Sequence, residues 1–505
     1  MTQPAVLAID AGTSGVTALL VDHDGSVVGQ GCREIRQYYP QPGWVEHDAE
    51  DIWQAVHGAV KDALDAAPDW APVAIGIANQ RETCLFWDRL SGKPLQRAIV
   101  WQCRRSASIC EELRAAGLEP EIARKTGLRL DPYFSGTKAL WLIHNDPSLR
   151  ARIATGDVAF GTMDSWLAYR LSGNTAHITD ATNACRTLAY DIHRWDWDDG
   201  LLELFGLNRR VMAEVGPSAA VRAHTRDTAR LPDGLPVAAL AGDQQAALFG
   251  QACFSAGLTK ATYGTGCFIL MHTGAEPVSS QGGLLTTIAA TADGTPAYAL
   301  EGSIFAAGAA VQWCRENLGM SLDVSAAAEL AASVPDSGGV VFVPAFAGLG
   351  SPYWAPDARA AVFGMTRGTT AAHVMRAALE SMAFQAQDVL DVMAAEAGAI
   401  AELRVDGGAA ANDLLMQLQA SLAGVPVSRP HSVESTAMGA AFLAGMAVGF
   451  WRDEAELASL RVEERRFEPA TDASNEQRLH RRWQDAVRGL LAADLEPWGP
   501  EPADS

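Results

Sequence analysis

A short turn rich in glycine and threonine occurs twice in this chain, and each copy joins two strand-like runs. The first turn, Asp10–Gly15, lies between the apolar runs Val6–Ile9 and Val16–Val21, and the second is Tyr263–Gly266. Glycine has no Cβ, so the backbone N–H groups of such a turn can approach a phosphate closely. Two copies in two halves of one chain predict a nucleotide held from both sides of a cleft.

Strand-like runs alternate with helical patterns along the whole chain, which predicts an α/β fold with mostly parallel sheets. The pattern restarts near residue 250, so we expect two similar domains, residues 1–249 and 250–505. The first would carry the substrate site and the first turn, and the second the nucleotide site and the second turn. Ala437–Trp451 is apolar and rich in small residues, which predicts a buried helix, whereas Pro497–Ser505 is expected to be disordered.

Composition and charge exclude some classes of binding partner. The formal net charge of −21 and the pI of about 4.9 exclude non-specific binding to nucleic acid or to an anionic membrane. The longest apolar run is too short to span a bilayer, and the N-terminus has no basic leader. The eight cysteines are scattered without Cys-x-x-Cys spacing and predict buried, reduced thiols. These features predict a cytoplasmic protein without an integral membrane segment.

Gly242-Asp243-Gln244-Gln245 follows the strand-like run Val237–Ala241. Active-site groups of α/β sheets lie at the carboxyl ends of strands. A carboxylate in this position can accept the proton of a substrate hydroxyl as that oxygen attacks phosphorus. The alternative is that Asp243 serves only as the N-cap of the helical run that follows.

Arg81 and Glu82 follow another strand-like run and form a candidate ion pair. In a cleft this pair could orient a polyol, because arginine donates to hydroxyl groups and glutamate accepts from them. The alternative is a surface salt bridge of little consequence. Trp101, Tyr133 and Phe268 are candidates for the apolar wall of such a site, although aromatic residues more often belong to the core.

Asp406-Gly407-Gly408 places glycines between a strand-like run and a helical run, Asn412–Leu422. Backbone can pass close to a nucleotide there, and a helix N-terminus favours anions. The alternative is an ordinary strand-to-helix connection.

The first turn, taken alone, is equally compatible with a simple hairpin turn, and it is not a Walker A loop because no Gly-Lys-Ser/Thr follows.

Taken together, these residues resemble the FGGY family of carbohydrate kinases, and within it the members that phosphorylate glycerol. The resemblance extends from Val6 to about Phe467. It rests on these segments: PGWVEHD (42–48), NQRET (79–83), AIVWQCRR (98–105), DPYFSGTK (131–138), AGDQQAALFGQ (241–251), TYGTGCF (262–268), PAFAGLGSPYW (344–354) and LRVDGGAAAN (403–412). Two longer family signatures also match, Tyr133–Asn145 and Ala360–Glu380.

The resemblance implies two actin/Hsp70-like domains of the ribonuclease-H type that close over ATP, Mg²⁺ and glycerol and form sn-glycerol 3-phosphate. Asp243 would be the general base, and Asp10 would organise Mg²⁺, largely through water. The substrate would contact Arg81, Glu82, Trp101, Tyr133, Asp243, Gln244 and Phe268. The nucleotide would contact Thr13, Ser14, Gly15, Thr265, Gly308, Gln312, Gly408 and Asn412. Relatives form homodimers and homotetramers, so we expect one of these assemblies here.

The first turn departs from this resemblance. Family members that act on glycerol commonly read Asp-Gln-Gly-Thr-Thr-Ser-Ser-Arg, whereas Asp10–Thr17 reads Asp-Ala-Gly-Thr-Ser-Gly-Val-Thr. Thr17 thus replaces an arginine directed at the phosphates, a loss of about 1.5–3 kcal/mol where that contact is made. A basic loop that binds sugar bisphosphates in some relatives has no match around Thr228–Pro236, so we expect that regulation to be absent.

Two alternatives remain at this stage. One is a family member that acts on another polyol or ketose, because the Gly-Thr-Ser-Gly-Val form of the first turn is closer to the xylulose-phosphorylating branch. The other is an actin- or Hsp70-like ATPase without sugar kinase activity, which would have no need of Asp243 beside a polyol pocket.

Overall fold

The computed structural model describes residues 2–318, 322–432 and 434–493. The expectation of disorder at Pro497–Ser505 lies outside these residues. Among the described residues, no helix is both long enough and apolar enough to cross a lipid bilayer.

The first half of the chain builds a six-stranded sheet. Its hairpin around the first turn lies beside the strands that precede Arg81 and Asp243. In spatial order the strands are Ala219–His224, Pro236–Gly242, Trp70–Asn79, Gln3–Ala11, Gly15–Val21 and Val27–Glu34. A five-stranded sheet covers one side of this domain, in the order Gln37–Tyr38, Glu46–His47, Ala98–Ile99, Cys84–Asp88 and Val158–Thr162.

The second half builds a seven-stranded sheet around the second turn. Its strands, in spatial order, are Leu285–Ile288, Tyr298–Ile304, Cys267–Gly274, Leu258–Tyr263, Glu402–Asp406, Val427–Pro430 and Glu463–Phe467. Three two-stranded sheets complete the β structure: Ile178–Asp180 with Glu214–Gly216, Tyr190–Asp191 with Asp196–Trp197, and Val341–Val343 with Ala361–Phe363.

The prediction of mostly parallel sheets is wrong, because both large sheets are mixed. In the first, Gln3–Ala11 pairs antiparallel with Gly15–Val21 and parallel with Trp70–Asn79. In the second, Leu258–Tyr263 pairs antiparallel with Cys267–Gly274 and parallel with Glu402–Asp406. The tight turns dictate the antiparallel pairs, since parallel neighbours need a long crossover connection.

Helices flank the sheets. Those of the first half are Ala49–Ala66, Ala107–Ala115, Glu119–Thr126, Ser135–Asn145, Pro147–Thr155, Met163–Leu171, Ala181–Ala184, Asp199–Leu204 and Asp243–Gly250, with a 3₁₀ turn at Cys185–Thr187. Those of the second half are Gly308–Asn317, Val324–Ala332, Ala371–Ala397, Asp413–Ala423, Ser435–Ala447, Glu454–Leu460 and Ser474–Ala492, with a 3₁₀ turn at Gly408–Ala411.

One helix of the second half packs on the first sheet. Ser435–Ala447 is the buried helix predicted within Ala437–Trp451, and it lies against Trp70–Asn79 and Asp243–Gly250. Its backbone approaches so closely that a Cβ on Gly439 would lie 1.8 Å from the Ala246 carbonyl oxygen. Glycine is therefore required there, and the helix that begins at Asp243 is held by direct backbone contact.

Candidate active site

Three neighbouring strands of the first sheet end at the same edge. The strand Trp70–Asn79 pairs in parallel with a neighbour on each side. Its last residue, Asn79, lies opposite Ala11 of one neighbour and opposite Gly242 of the other. Side chains that follow these strand ends are therefore brought together, although they are far apart in sequence. The edge carries Asp10, Arg81 and Asp243.

Arg81 is engaged through all three nitrogens of its guanidinium. Nε lies 3.2 Å from Asp243 Oδ1. Nη1 donates to Glu301 Oε2 over 2.5 Å and to Gln245 Oε1 over 3.3 Å, and Nη2 donates to Glu301 Oε1 over 2.9 Å and to the Tyr133 hydroxyl over 3.3 Å. This planar, multidentate bonding fixes the direction of the guanidinium.

Glu82 is 1% exposed, so the interpretation of Arg81 and Glu82 as a surface salt bridge is wrong. Glu82 Oε1 accepts from Arg186 Nε over 2.6 Å and lies 3.8 Å from Arg81 Nε. Burial raises the pKa of Glu82, and Arg186 and Arg81 offset part of that effect. The backbone of Glu82 has φ 60°, an uncommon conformation for a residue with a side chain and one that clusters at functional sites.

Asp243 is the first residue of the helix Asp243–Gly250, whose N-cap is Gly242. The alternative of Asp243 as the N-cap is therefore wrong. Its side chain is 24% exposed, and Oδ1 accepts from the Gln244 backbone N–H over 2.7 Å. Burial raises the pKa of Asp243, while Arg81 and Lys260 oppose that shift. A carboxylate with a raised pKa and an open face can accept a proton from a hydroxyl group.

Lys260 is fully buried beside Gln244 and was not predicted from the sequence. Its Nζ donates to Gln244 Oε1, and it also donates to Thr262 Oγ1 over 2.9 Å. An ammonium can only donate, so it orients the Gln244 amide with the NH₂ group directed away from the lysine. The Gln244 NH₂ group can therefore donate to a group other than the lysine.

The three aromatic residues form one cluster in which Trp101 is central. The ring centroid of Trp101 lies 5.6 Å from that of Tyr133 and 5.9 Å from that of Phe268, both with edge-to-face geometry. Trp101 and Phe268 are half-buried, whereas Tyr133 is 3% exposed. Phe268 belongs to the second sheet, so the cluster spans both halves of the chain. The structure therefore brings together the residues predicted as an apolar wall.

The first turn is supported by the side chains of Gln80 and Trp101. Gln80 Nε2 donates to the Gly12 carbonyl over 3.1 Å, and Trp101 Nε1 donates to Thr13 Oγ1 over 2.9 Å. Ser14 is exposed, and a Cβ on Gly15 would lie 2.7 Å from the Arg33 carbonyl oxygen. The turn is thus fixed by neighbours while its tip remains accessible.

Asp10 has the properties of a cation ligand. Among the described residues, its Oδ1 has no hydrogen-bond partner although the atom is buried. Burial, Asp243 and Glu434, in that order, raise the pKa of Asp10 to about 8. Carboxylate oxygens with unsatisfied negative charge fit a hard divalent cation such as Mg²⁺.

The second turn lines a separate cavity of about 800 Å³ in the second domain. The predicted nucleotide contacts that line it are Thr265, Gly308, Gln312, Gly408 and Asn412. The Gly308 N–H donates to the Gly264 carbonyl over 3.0 Å, which docks the helix Gly308–Asn317 on the turn. Apolar side chains such as Val311, Met375 and Leu379 complete the wall. Thr13, Ser14 and Gly15 lie apart from this cavity, in the hairpin of the first sheet.

Gly407 allows the turn Asp406-Gly407-Gly408 to pass close to the backbone of Tyr263 in the second turn. Its φ is 84°, and a Cβ would lie 2.6 Å from the Tyr263 carbonyl oxygen. The interpretation of Asp406-Gly407-Gly408 as an ordinary connection is incomplete, since Gly408 and the N-cap Asn412 both line the cavity.

Sequence reasoning missed Glu301, Arg186, Lys260 and Gln245. Glu301 and Lys260 each place a charge in a buried strand that is otherwise uncharged, and such a charge indicates a functional or paired group. Arg186 and Gln245 carry no comparable signal in the sequence.

Thr17 lies on the strand that follows the first turn, and its Oγ1 is 3.7 Å from Cys32 Sγ. Cys32 is exposed, so the expectation of buried thiols is wrong for this residue and holds for the other seven cysteines. Gln30 Nε2 also lies 3.7 Å from Cys32 Sγ, so the side chains that neighbour Thr17 on the paired strand, Cys32 and Gln30, are uncharged.

Comparison with known proteins agrees with this two-domain architecture. Residues 5–250 match the N-terminal domain of the FGGY family of carbohydrate kinases, and residues 259–448 match its C-terminal domain. The chain belongs to the FGGY family of carbohydrate kinases.

Relatives within the family include several glycerol kinases. The glycerol kinase of Halorhodospira halophila is 52% identical over 502 residues, which covers 99% of each chain. That of Dechloromonas aromatica is 53% identical over 489 residues, which covers 96% of this chain and 97% of the relative.

Among solved structures, the glycerol kinase of Plasmodium falciparum with ADP superposes with a TM-score of 0.90 at 34% identity, covering 97% of this chain and 99% of that one. The xylulose kinase of Lactobacillus acidophilus superposes with a TM-score of 0.88 at 20% identity, covering 97% and 99%, and shares the fold. These comparisons confirm the predicted family and fold.

Proposed function

We propose that this protein transfers the γ-phosphoryl group of ATP to glycerol and forms sn-glycerol 3-phosphate. The observation that carries the proposal is the contact of the partly exposed Asp243 with Arg81, whose guanidinium also donates to Tyr133 of the aromatic cluster, at the edge of the first sheet. Glycerol kinases that match nearly the whole chain at about half identity support the same activity.

The polar groups of the site suit a small polyol. The Tyr133 hydroxyl accepts from Arg81, which leaves its own proton to donate, and burial keeps the group protonated by raising its pKa. Gln244 offers amide donors, and Glu82 offers a carboxylate that accepts. Trp101 and Phe268 would cover the C–H face of the same molecule.

Asp243 would take the proton of the terminal hydroxyl as that oxygen attacks the γ-phosphorus. Such a transfer depends mainly on positioning and on electrostatic stabilisation of the phosphoryl group. The backbone amides of the two turns would hold the phosphates, with Thr13, Ser14 and Gly15 on one side and Thr265 on the other. Gly308, Gln312, Gly408 and Asn412 would contact the rest of the nucleotide.

Asp10 would hold Mg²⁺, largely through water, because its unsatisfied oxygen and raised pKa fit a divalent cation. When bound, Mg²⁺ neutralises charge on the phosphate oxygens.

We also propose that the two domains divide at residues 249 and 250, with the helix Ser435–Ala447 crossing back to the first. A cytoplasmic homodimer or homotetramer remains a prediction that light scattering and cell fractionation would check.

A panel of substrates tests the function. Purified protein is incubated with ATP, Mg²⁺ and, separately, glycerol, xylulose, erythritol or dihydroxyacetone, and release of ADP is measured in a coupled assay. We expect the highest kcat/KM with glycerol, and a higher value with another substrate would overturn the proposal.

The second candidate is a kinase for a ketose such as xylulose. The residues that favour it are Gly12 to Val16, whose Gly-Thr-Ser-Gly-Val sequence is closer to that branch. The same panel decides between the two, because xylulose would then exceed glycerol.

A further inference from the structure

Glu301 connects the second domain to the polyol side of the cleft. It lies on the strand Tyr298–Ile304 of the second sheet and its side chain is fully buried. Its carboxylate contacts two arginines of the first domain, Arg81 and Arg186. It is the one charged residue of this strand, and Ser303 Oγ also donates to its Oε1 over 3.1 Å.

The carboxylate fixes Arg81 in a bidentate geometry. Both terminal nitrogens of Arg81 donate to Glu301, over 2.5 and 2.9 Å, and this pairing sets the plane of the guanidinium. The remaining nitrogen, Nε, then faces Asp243 at 3.2 Å. The direction of Arg81 toward the proposed base is thus determined from the opposite domain.

Glu301 also acts on Glu82 through Arg186. Arg186 Nη2 donates to Glu301 over 2.9 Å, and Arg186 Nε donates to Glu82 over 2.6 Å. Glu82 has the strained backbone described above and needs such support to keep its position. One carboxylate therefore orients both members of the predicted polyol-binding pair.

The ionic state of the group is well defined. Burial opposes ionisation of Glu301, but Arg186 and Arg81 outweigh it and lower its pKa to about 2. Loss of one partner from a buried charge pair is strongly destabilising, because the other charge is left without compensation. A neutral substitute for Glu301 would leave Arg81 and Arg186 without their shared partner.

The same strand leads on to the nucleotide cavity. It ends at Ile304, and a few residues later the Ala307 and Gly308 N–H groups donate to the carbonyls of Thr265 and Gly264, over 2.8 and 3.0 Å. The polyol-binding residues and the second turn are thus attached to one continuous segment of the second domain.

We propose that Glu301 is a positioning residue that orients Arg81, and Glu82 through Arg186, across the domain boundary, so that the polyol site is complete only when the two domains are in contact. The inference rests on the proposed function of the site. It assigns to the second domain the orientation of the charged polyol-binding residues, in addition to the apolar contact of Phe268 and its part in binding the nucleotide.

The test is a set of full-length variants assayed with glycerol and ATP. Glu301→Gln keeps the shape of the side chain and removes its charge, and Glu301→Asp keeps the charge. Arg81→Met and the double variant Arg81→Met/Glu301→Gln complete a mutant cycle in which the double variant removes an opposite pair of charges. Glu380→Gln is the matched control, because Glu380 is a buried glutamate of the same domain that pairs with Arg376 away from the polyol site.

We expect Glu301→Gln to lower kcat/KM for glycerol by about 10- to 100-fold, the range for loss of a charge-assisted hydrogen bond. Glu301→Asp should recover part of this loss, and ADP affinity measured by calorimetry should stay within about twofold of wild type. Glu380→Gln should leave the KM for glycerol unchanged. In the double variant, the loss beyond that of Arg81→Met should be less than about 10-fold, because the part of the effect that passes through Arg81 is already removed and only the part through Arg186 and Glu82 remains.

Additive losses in the double variant would overturn the proposal, as would a parallel loss of ADP affinity in Glu301→Gln. If Glu301→Gln fails to fold, the proposal is still tested by comparing the kcat/KM of Arg81→Met with that of the charge-balanced double variant. If wild-type protein prefers another member of the substrate panel, the proposed function fails, and the same cycle is measured with that substrate.

Discussion

The indole Nε1 of Trp101 donates a hydrogen bond to the Thr13 hydroxyl over 2.9 Å. A residue of the proposed polyol wall is thereby bonded directly to the turn that is proposed to hold phosphate. Because the indole occupies one lone pair of Thr13 Oγ1, the hydroxyl proton is free to be directed toward a phosphate oxygen. The two substrates of the proposed reaction therefore share a structural element.

Trp101→Phe keeps an aromatic wall but removes this donor. We expect the KM for ATP to rise by about 3- to 10-fold, the cost of one neutral hydrogen bond, with a smaller change in the KM for glycerol. Steady-state kinetics with each substrate varied in turn would measure both. Trp44→Phe is a suitable control, because Trp44 packs on Trp141 elsewhere in the first domain. A rise confined to the KM for glycerol would contradict the expectation.

Asp243→Asn removes the proposed base and leaves the helix start intact, since Gly242 is its N-cap. We expect kcat to fall by about 10²- to 10⁴-fold, the usual contribution of a general base. ADP binding and the melting temperature should change little, because the side chain is partly exposed. Activity with glycerol close to wild type would exclude Asp243 as the base.

Thr17→Arg introduces the arginine that the resemblance to glycerol-phosphorylating family members predicts at this position. The strand neighbours Cys32 and Gln30 are uncharged, so a new guanidinium there would meet no competing cation from those two residues. A charge-assisted contact of about 1.5–3 kcal/mol should lower the KM for ATP or raise kcat. Kinetics identical to wild type would show that the phosphates do not depend on this position.

Asp10 should make the stability of the metal-free protein depend on pH. Its folded-state pKa is raised from 3.8 to about 8, so its contribution to stability is complete below about pH 4 and is lost as pH rises through 8. In EDTA, we therefore expect the melting temperature of wild type to fall relative to that of Asp10→Asn between pH 5 and pH 8.5.

Mg²⁺ should reverse that loss at pH 8.5 in wild type and have no such effect on Asp10→Asn, because a bound cation stabilises the ionised carboxylate. Differential scanning calorimetry measures both effects. Parallel pH profiles for the two proteins would mean that Asp10 does not titrate in this range.

Local patterns predicted much of the fold and of the site. The two turns, the strand ends that carry Arg81 and Asp243, and the helix within Ala437–Trp451 are each encoded in a few consecutive residues, so periodicity and turn chemistry locate them. Resemblance to the family then added the contacts expected with the nucleotide, such as those of Gly308 and Gln312.

The groups that escaped prediction depend on contacts between distant parts of the chain. Arg81 and its partner Glu301 are 220 residues apart. A periodic pattern in the sequence does not indicate such a pairing. The mixed strand directions were also not predicted, because they depend on which strands become neighbours in the sheet. The orientation of Gln244 follows from a buried lysine on another strand, which a linear reading of the sequence does not reveal.

The helix Ser435–Ala447 has a consequence for biosynthesis. It covers the first sheet with Ala437, Ala440 and Leu443, yet it is among the last elements to leave the ribosome. Chain synthesis proceeds at about 5–20 residues per second, so one apolar face of the first half of the chain stays exposed for many seconds before this helix is made. A fragment that ends at residue 249 would keep that face permanently, so the first domain is expected to need its own C-terminal sequence, or a chaperone, before it is safe from aggregation.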